Sequence, residues 1–282
     1  MKVIDQALLK KVIIERPRSS HKGDYGRLLL IGGTYPYRGA IIMAALGAVR
    51  SGAGLVTVAT DKENILALHN HLPEAMAFDL GDKQLLEQQL QKANIVLVGP
   101  GLVDDESGEE LLQTVFHHSN QDQTLILDGG ALSILAKMRM KFPKAKLVLT
   151  PHQREWQVLS GLDLDSQGTD ETGEALKRFP SGTILVQKGP ATRIWQAGQT
   201  DCYQLSVGGP YQATGGMGDT LAGMIAGFAG QFPRASLYER VTVATYLHSA
   251  IAEELAEDNF VVLPTTISQH IPAFMKKIQQ DT

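Results

Sequence analysis

The chain has 282 residues and a single cysteine, Cys202, so an intrachain disulfide framework is excluded. Hydrophobic residues make up 43% and charged residues 20%, an ordinary globular composition, and a chain this long can bury most of the apolar surface it exposes when unfolded. The formal net charge of -4, the lack of an apolar run of roughly 18–20 residues and the polar start Met1–Gln6 argue against nucleic-acid and membrane partners and for the cytoplasm.

The pattern alternates short β-rich runs with longer helical ones, without repeats or low-complexity segments. Arg27–Ile31 reads as a buried strand ended by Gly32-Gly33, and Arg38–Ser51 as a small-residue helix ended by Gly52. Leu55–Ala59 reads as a strand, Ala75–Phe78 as a weaker one and Leu85–Lys92 as a helix. Strand Ile95–Val98 stops at Gly99-Pro100-Gly101 and is followed by helix Gly108–His118. Leu125–Leu127 ends at Asp128, and Leu147–Leu149 ends at Thr150-Pro151, with a helix after it to about Leu159. Gly168–Phe179 is helical and Ile184–Gln187 a strand. Thr192–Gln196 and Cys202–Ser206 flank Ala197-Gly198-Gln199 as a hairpin. Gly218–Gly230, Ala235–Ala256 and Ser268–Ile278 close the chain as helices.

This alternation predicts an α/β fold with a mostly parallel sheet covered by helices on both faces. No Pro/Ser-rich linker interrupts it, so residues 1–282 read as one domain. In such open sheets ligands bind beyond the carboxyl ends of the strands. The strand-end residues Gly32, Gly99, Asp128, Thr150 and Lys188 are therefore expected to converge on one cleft.

The most informative segment runs from Gly208 to Gly223. Gly215, Gly216 and Gly218 stand directly before a helical run. Glycine lets a backbone approach a ligand, and free amides at a helix start can hold a phosphate or an anionic transition state. Asp219 lies in the same turn, where a carboxylate would repel phosphate unless it has another task, such as taking a proton from an attacking hydroxyl. A carboxylate favoured by the helix dipole is the bland alternative. The spacing fits neither a Walker A loop nor the dinucleotide fingerprint.

Ala213-Thr214-Gly215-Gly216-Met217-Gly218-Asp219-Thr220-Leu221-Ala222-Gly223 resembles the catalytic signature of the ADP/ATP-dependent NAD(P)H-hydrate dehydratases, a branch of the ribokinase-like superfamily. His21–Arg27, Gly32-Gly33-Thr34 and Tyr37-Arg38-Gly39-Ala40 resemble that family's opening block. Gly52–Val58, Gly99-Pro100-Gly101-Leu102, Leu127-Asp128, Leu149-Thr150-Pro151-His152-x-x-Glu155 and Lys188-Gly189-x-x-Thr192 follow in the family's order.

The resemblance implies a ribokinase-like three-layer α/β/α sandwich. It implies an enzyme that phosphorylates the ring hydroxyl of NADHX or NADPHX with ADP or ATP and then eliminates phosphate. By that resemblance Asp219 is the base, and the amides of Gly216, Met217 and Gly218 form the anion hole. Ala40, Gly101, His152 and Asp219 line the hydrated cofactor. Lys188, Gly189, Pro190, Ala191, Thr192 and Gly218 hold the adenine nucleotide. Glu155 is a candidate for a water-bridged Mg2+ contact. The resemblance further implies a homo-oligomer, tetramers being common in the family, and a separate NAD(P)H-hydrate epimerase. It leaves ADP against ATP, and NADHX against NADPHX, open.

Several of these residues have structural readings as well. Thr150-Pro151-His152-Gln153 reads as a helix start with Thr150 as N-cap, Pro151 at N1 and Gln153 at N3, which leaves His152 unexplained. Gly99 and Gly101 also read as a tight turn, Lys188-Gly189 as a strand exit, and Ala40 as a close-packed helix residue. Asp128 reads as either a site residue or a turn former. Trp156 and Trp195 read as core, and Cys202 as inert. The chain departs from the family pattern at Gly129-Gly130, where a second acidic residue is common. It departs again at Gln153-Arg154, where Pro-Gly is frequent, and at Gly209-Pro210-Tyr211-Gln212, where Asn-Pro-Gly-Met is typical. Two rival functions share the anion hole: an alcohol kinase of the hydroxymethylpyrimidine, thiazole or pyridoxal type, and a silent nucleotide-binding regulator.

Overall fold

A computed structural model describes residues 1–138 and 141–280; the last two residues of the domain expected over 1–282 lie outside them. The strands are β1 (Arg27–Ile31), β2 (Leu55–Thr60), β3 (Met76–Asp79), β4 (Ile95–Val98), β5 (Thr124–Leu127), β6 (Lys146–Leu149), β7 (Ile184–Gln187), β8 (Arg193–Gln196) and β9 (Tyr203–Gln204). They form one sheet in the order β3-β2-β1-β4-β5-β6-β7-β8-β9. Every pairing from β3 to β7 is parallel, and β8 and β9 add an antiparallel edge.

The helices are α1 (Gln6–Val12), α2 (Arg38–Arg50), α3 (Ile65–His71), α4 (Lys83–Lys92), α5 (Glu106–His118), α6 (Gly130–Lys137), α7 (Gln153–Ser160), α8 (Thr169–Leu176), α9 (Met217–Gly230), α10 (Leu237–Ala256) and α11 (Pro264–Gln280). Successive strand side chains point to opposite faces, so each strand feeds two cores. Leu28, Leu30, Val58, Leu97 and Ile126 pack with α2, α9, α10 and α11 on one face. Leu29, Ile31, Val98, Leu127 and Leu149 pack with α4 to α8 on the other, around Trp156 and Trp195. The three layers expected from the alternation are present.

Several local readings need correction. Sequence periodicity missed α1, α3 and α6, which are short, and α6 opens on two glycines that read as loop. The last helix starts at Pro264 rather than Ser268 and carries Pro272 inside it. The hairpin is present, but its second arm shrinks to Tyr203–Gln204. The N-cap of α7 is His152, not Thr150. His152 Nδ1 accepts from the N–H groups of Arg154 and Glu155 at 3.2 Å, and Glu155 Oε2 accepts from His152 N–H at 2.7 Å. Thr150 instead sits fully buried and donates to Asp128 Oδ1 at 2.7 Å.

Candidate active site

The strand order reverses direction between β1 and β4, and in open sheets of this class ligands bind where the loops leave two such strands. The two loops are bonded to each other. Gly33 N–H donates to Pro100 O and Thr34 N–H to Gly101 O, both at 2.9 Å. Gly99 has φ +124°, and a side-chain carbon there would lie 1.7 Å from the Asp128 carbonyl oxygen. The turn after β4 thus requires glycine, which supports the turn reading without excluding a ligand. A carbon added at Gly101 would come 3.0 Å from Ala40 Cβ, so Ala40 and Gly101 are neighbours. The departure at Gly130 has a steric cause: a side-chain carbon there would lie 1.9 Å from the Leu102 carbonyl oxygen, which leaves no room for a second acidic residue.

The glycine segment enters α9 through Gly216 in the left-handed region, φ +94°. Thr220 N–H makes the first turn's bond, to Gly216 O at 3.0 Å. Among the described residues no protein acceptor takes the N–H of Gly215, Gly216, Met217, Gly218 or Asp219. These are the orphan donors of a helix start, lying at its positive end. Asp219 is half-buried, and its carboxylate makes no hydrogen bond or ion pair with another described residue. Burial first, then the nearby charge of Asp128, push its pKa up to about 6 against the opposing pull of Lys188.

Lys188 links the parts. Its Nζ donates to Asp128 Oδ1 at 2.8 Å and lies 3.0 Å from where a Gly218 side chain would begin. Burial works against its charge, but Asp128, Glu155 and Asp219 outweigh that effect and hold its pKa above the ordinary lysine value. Its main chain pairs with the next strand end, with Lys188 N–H donating to Pro151 O at 2.9 Å, so His152 lies beside it. Glu155 is held as the cap of α7, and burial raises its pKa to about 7 although Lys188 pulls the other way. Burial, then Lys188, lower the pKa of His152, so its Nδ1 stays an acceptor for the cap.

A cleft of about 640 Å³ opens at the first turn of α9. Lys188, Gly189, Pro190, Thr192, Met217 and Gly218 line it, with Val207–Pro210, Gln212 and Ala213 on one wall and Thr245, His248 and Ser249 of α10 on another. Ala191, Gly216 and Asp219 are not among the lining residues, and neither are Ala40, Gly101, His152 and Glu155. Thr192 closes its own turn, with Oγ1 bonded to Gly189 N–H at 3.3 Å and to Gly189 O at 3.0 Å. The candidate residues therefore fall into a set that lines the cleft and a set that does not, and Lys188 of the first set reaches the second through its main chain beside His152. Sequence reading left Asp128 open between a site residue and a turn former, although it is 2% exposed and anchors Lys188, and did not weigh His248. The strand-end position of Asp128 was the available signal. His248 sits mid-helix in an apolar run and gave none.

A protein-family model described as NAD(P)H-hydrate dehydratase matches residues 28–273. The chain belongs to this family. An ADP-dependent (S)-NAD(P)H-hydrate dehydratase of Streptococcus pneumoniae is 70% identical over 280 residues, 99% of this chain and 97% of that protein. A structure of a hypothetical protein from Streptococcus mutans superposes with a TM-score of 0.95 at 52% identity, covering 99% of this chain and all of that one. The ADP/ATP-dependent NAD(P)H-hydrate dehydratase of Bacillus subtilis, co-crystallised with ATP/Mg2+, gives a TM-score of 0.83 at 30% identity, with 97% of each chain covered. The fold of this family member is thus the ribokinase-like one anticipated from its motifs.

Proposed function

We propose that this dehydratase restores NADH and NADPH from the S form of their hydrates with ADP as phosphoryl donor, at the first turn of α9. The observation that carries the reading is Asp219, a half-buried carboxylate without a protein partner, beside helix-start amides that are likewise unpartnered. The hydrated ring lies against Ala40, Gly101 and His152. Asp219 takes the proton of its hydroxyl as that oxygen attacks the terminal phosphorus of the nucleotide. The N–H groups of Gly216, Met217 and Gly218 hold the moving phosphoryl group, and Lys188 balances its charge. AMP leaves, and then the carbon–oxygen bond breaks, phosphate departs and a ring proton is lost, which restores the double bond. The nucleotide occupies the cleft along Lys188–Thr192 and Gly218.

Magnesium fits this site as a hydrated ion rather than a caged one. Among the described residues no group of three or more His, Cys, Asp and Glu side chains could hold it alone. Glu155 would meet it through water while the nucleotide phosphates supply direct oxygen ligands, and the ion would neutralise charge there. The chain acts as one domain, in the cytoplasm and as a homo-oligomer. Among the described residues no helix is long and apolar enough to cross a membrane. The pneumococcal relative, matched almost end to end, is named for the dehydratase alone, which supports an epimerase on a separate chain.

The test is recovery of reduced-nicotinamide absorbance from hydrated NADH, with ADP or ATP, in wild type and Asp219→Asn. Recovery with ADP that the variant loses by about 10²–10⁴ is expected. A stable phosphorylated alcohol without recovery would instead mark an alcohol kinase. Equal turnover in the two proteins would remove Asp219 from its role.

A further inference from the structure

A second cavity, of about 470 Å³, lies where α10 starts against the starts of β6 and β7. Lys146 and Leu147 of β6, Ile184 of β7, and Leu237 and Arg240 of α10 line it. Both β7 and α10 run on from here to the cleft, β7 to Lys188 and α10 to Thr245 and His248. The cavity therefore sits at the amino ends of the parallel strands, the opposite end from the cleft. Open sheets of this class take their substrates at the carboxyl ends, so it is not an extension of the active site.

Its lining carries two cations and no Asp or Glu. Arg240 is half-buried and forms no ion pair among the described residues, although a charge withdrawn from water is normally matched by an opposite one. Its Nη1 donates to Ala229 O and, at 3.1 Å, to Gln231 O, which closes the end of α9. Nε is buried and has no acceptor. Nη2 has none either but is not buried, so it is the nitrogen that Arg240 presents to the cavity. Lys146 is exposed, and its ammonium meets no described residue. Ser181 Oγ and the Gln196 amide nitrogen, on the same lining, also lack acceptors. Glu239, the acid beside Arg240 in sequence, is already engaged, accepting from Lys11 Nζ at 2.6 Å and from Ser236 N–H at 2.9 Å. Two cations with neutral donors beside them suit a dianion with several oxygens, which a phosphate group supplies. Ala145, Leu147, Pro180, Ile184 and Leu237 form the apolar remainder of the wall, where a carbon body would lie. The volume falls within the roughly 300–1,000 Å³ of small-molecule sites.

We propose that this cavity is a second ligand site, separate from the cleft, which takes a phosphate monoester with a small apolar body and holds its phosphate through Arg240 Nη2 and Lys146 Nζ. Phenyl phosphate is the probe, titrated by calorimetry into the full chain in the presence of saturating ADP. One equivalent is expected to bind with a Kd on the order of 1 mM or below, weakening as salt rises. Inorganic phosphate should bind about tenfold more weakly, because it leaves the apolar wall unused; equal binding would overturn the assignment to an ester. Lys146→Glu, at an exposed residue without a partner, should raise the Kd of phenyl phosphate about tenfold and leave KM for ADP within about twofold. Arg240→Gln should raise it at least as far, and Arg240→Lys should recover part of the loss. If Arg240→Gln does not fold, because the end of α9 has lost its donor, Lys146→Glu decides alone. Absence of binding to the wild type, or a Kd that these variants leave unchanged, would overturn the proposal. So would a change of oligomeric state in Lys146→Glu with no phenyl phosphate bound by the wild type, which would show that an acidic group of a second copy fills the cavity.

Discussion

Along α9 the residues from Thr220 to Ala229 are all buried, whereas Met217, Gly218 and Asp219 before them are only half-buried. The body of the helix is packed so closely against α2 that a side-chain carbon at Gly223 would lie 1.9 Å from the Ala44 carbonyl oxygen. The first turn is built the opposite way, with amides that meet no protein acceptor and a carboxylate that forms no ion pair, although Lys188 pulls on its charge. The contrast separates scaffold from site within one helix. Close packing stabilises the body and holds the first turn in a state that is unfavourable by itself, as functional sites commonly require.

Substitutions can break that division or sharpen it. Asp219→Asn has the largest expected effect, a fall of about 10²–10⁴ in kcat. It should also raise the melting temperature above neutral pH, because it removes a half-buried charge with no partner; a variant less stable than wild type would show that Asp219 supports the fold. Next comes Lys188→Met. It strands Asp128, 2% exposed, without its cation, and urea unfolding should show a loss of about 3 kcal/mol. The same variant should weaken ADP binding, and a neutral effect on both would break the link between the cleft and the site residues outside it. Gly223→Ala should cost about 1–3 kcal/mol through overpacking and leave kcat per folded molecule unchanged. Lost turnover at unchanged stability would mean that the body of α9 is part of the site.

The smallest effect concerns pH. Asp219 and Glu155 have folded pKa values raised to about 6 and about 7, so the folded state binds their protons more tightly than the unfolded chain. The stability they contribute is fully present below the ordinary carboxylate range and is lost as pH rises through about 6 to 7. A change of the order of 1 kcal/mol is expected once solvent screening is allowed for, and Asp219→Asn should remove part of it. Activity runs the other way. A base must be ionised, so kcat/KM should rise with pH through about 6.

How far the sequence could be read follows the same division. The buried strands were legible because each is a short apolar run ended by glycine or a polar residue; of these ends only Lys188 lines the cleft, while Gly99, Thr150 and Lys188 meet at Asp128. Asp219 and its glycines were legible because the whole device lies within one turn of chain. Asp128 was not, because its meaning depends on Lys188, 60 residues away. His248 was hidden in the apolar pattern of a buried helix, and its partner Gln212 lies 36 residues from it. His152 was half-read. The sequence left it without a structural reading, and its role as the cap of α7 needed the loop geometry that Pro151 and Lys188 impose. The short helix α6 was missed because Gly129 and Gly130 read as turn, while the structure uses them for a close approach of two loops.

The central claim is that a phosphoryl group is transferred to the oxygen of the hydrate before that oxygen leaves. Hydrated NADH carrying a heavy-oxygen label in its ring hydroxyl, turned over with unlabelled ADP and water, tests it directly. The account predicts one labelled oxygen in each phosphate released, with one phosphate per NADH restored. Label recovered in water, with none in phosphate, would contradict it.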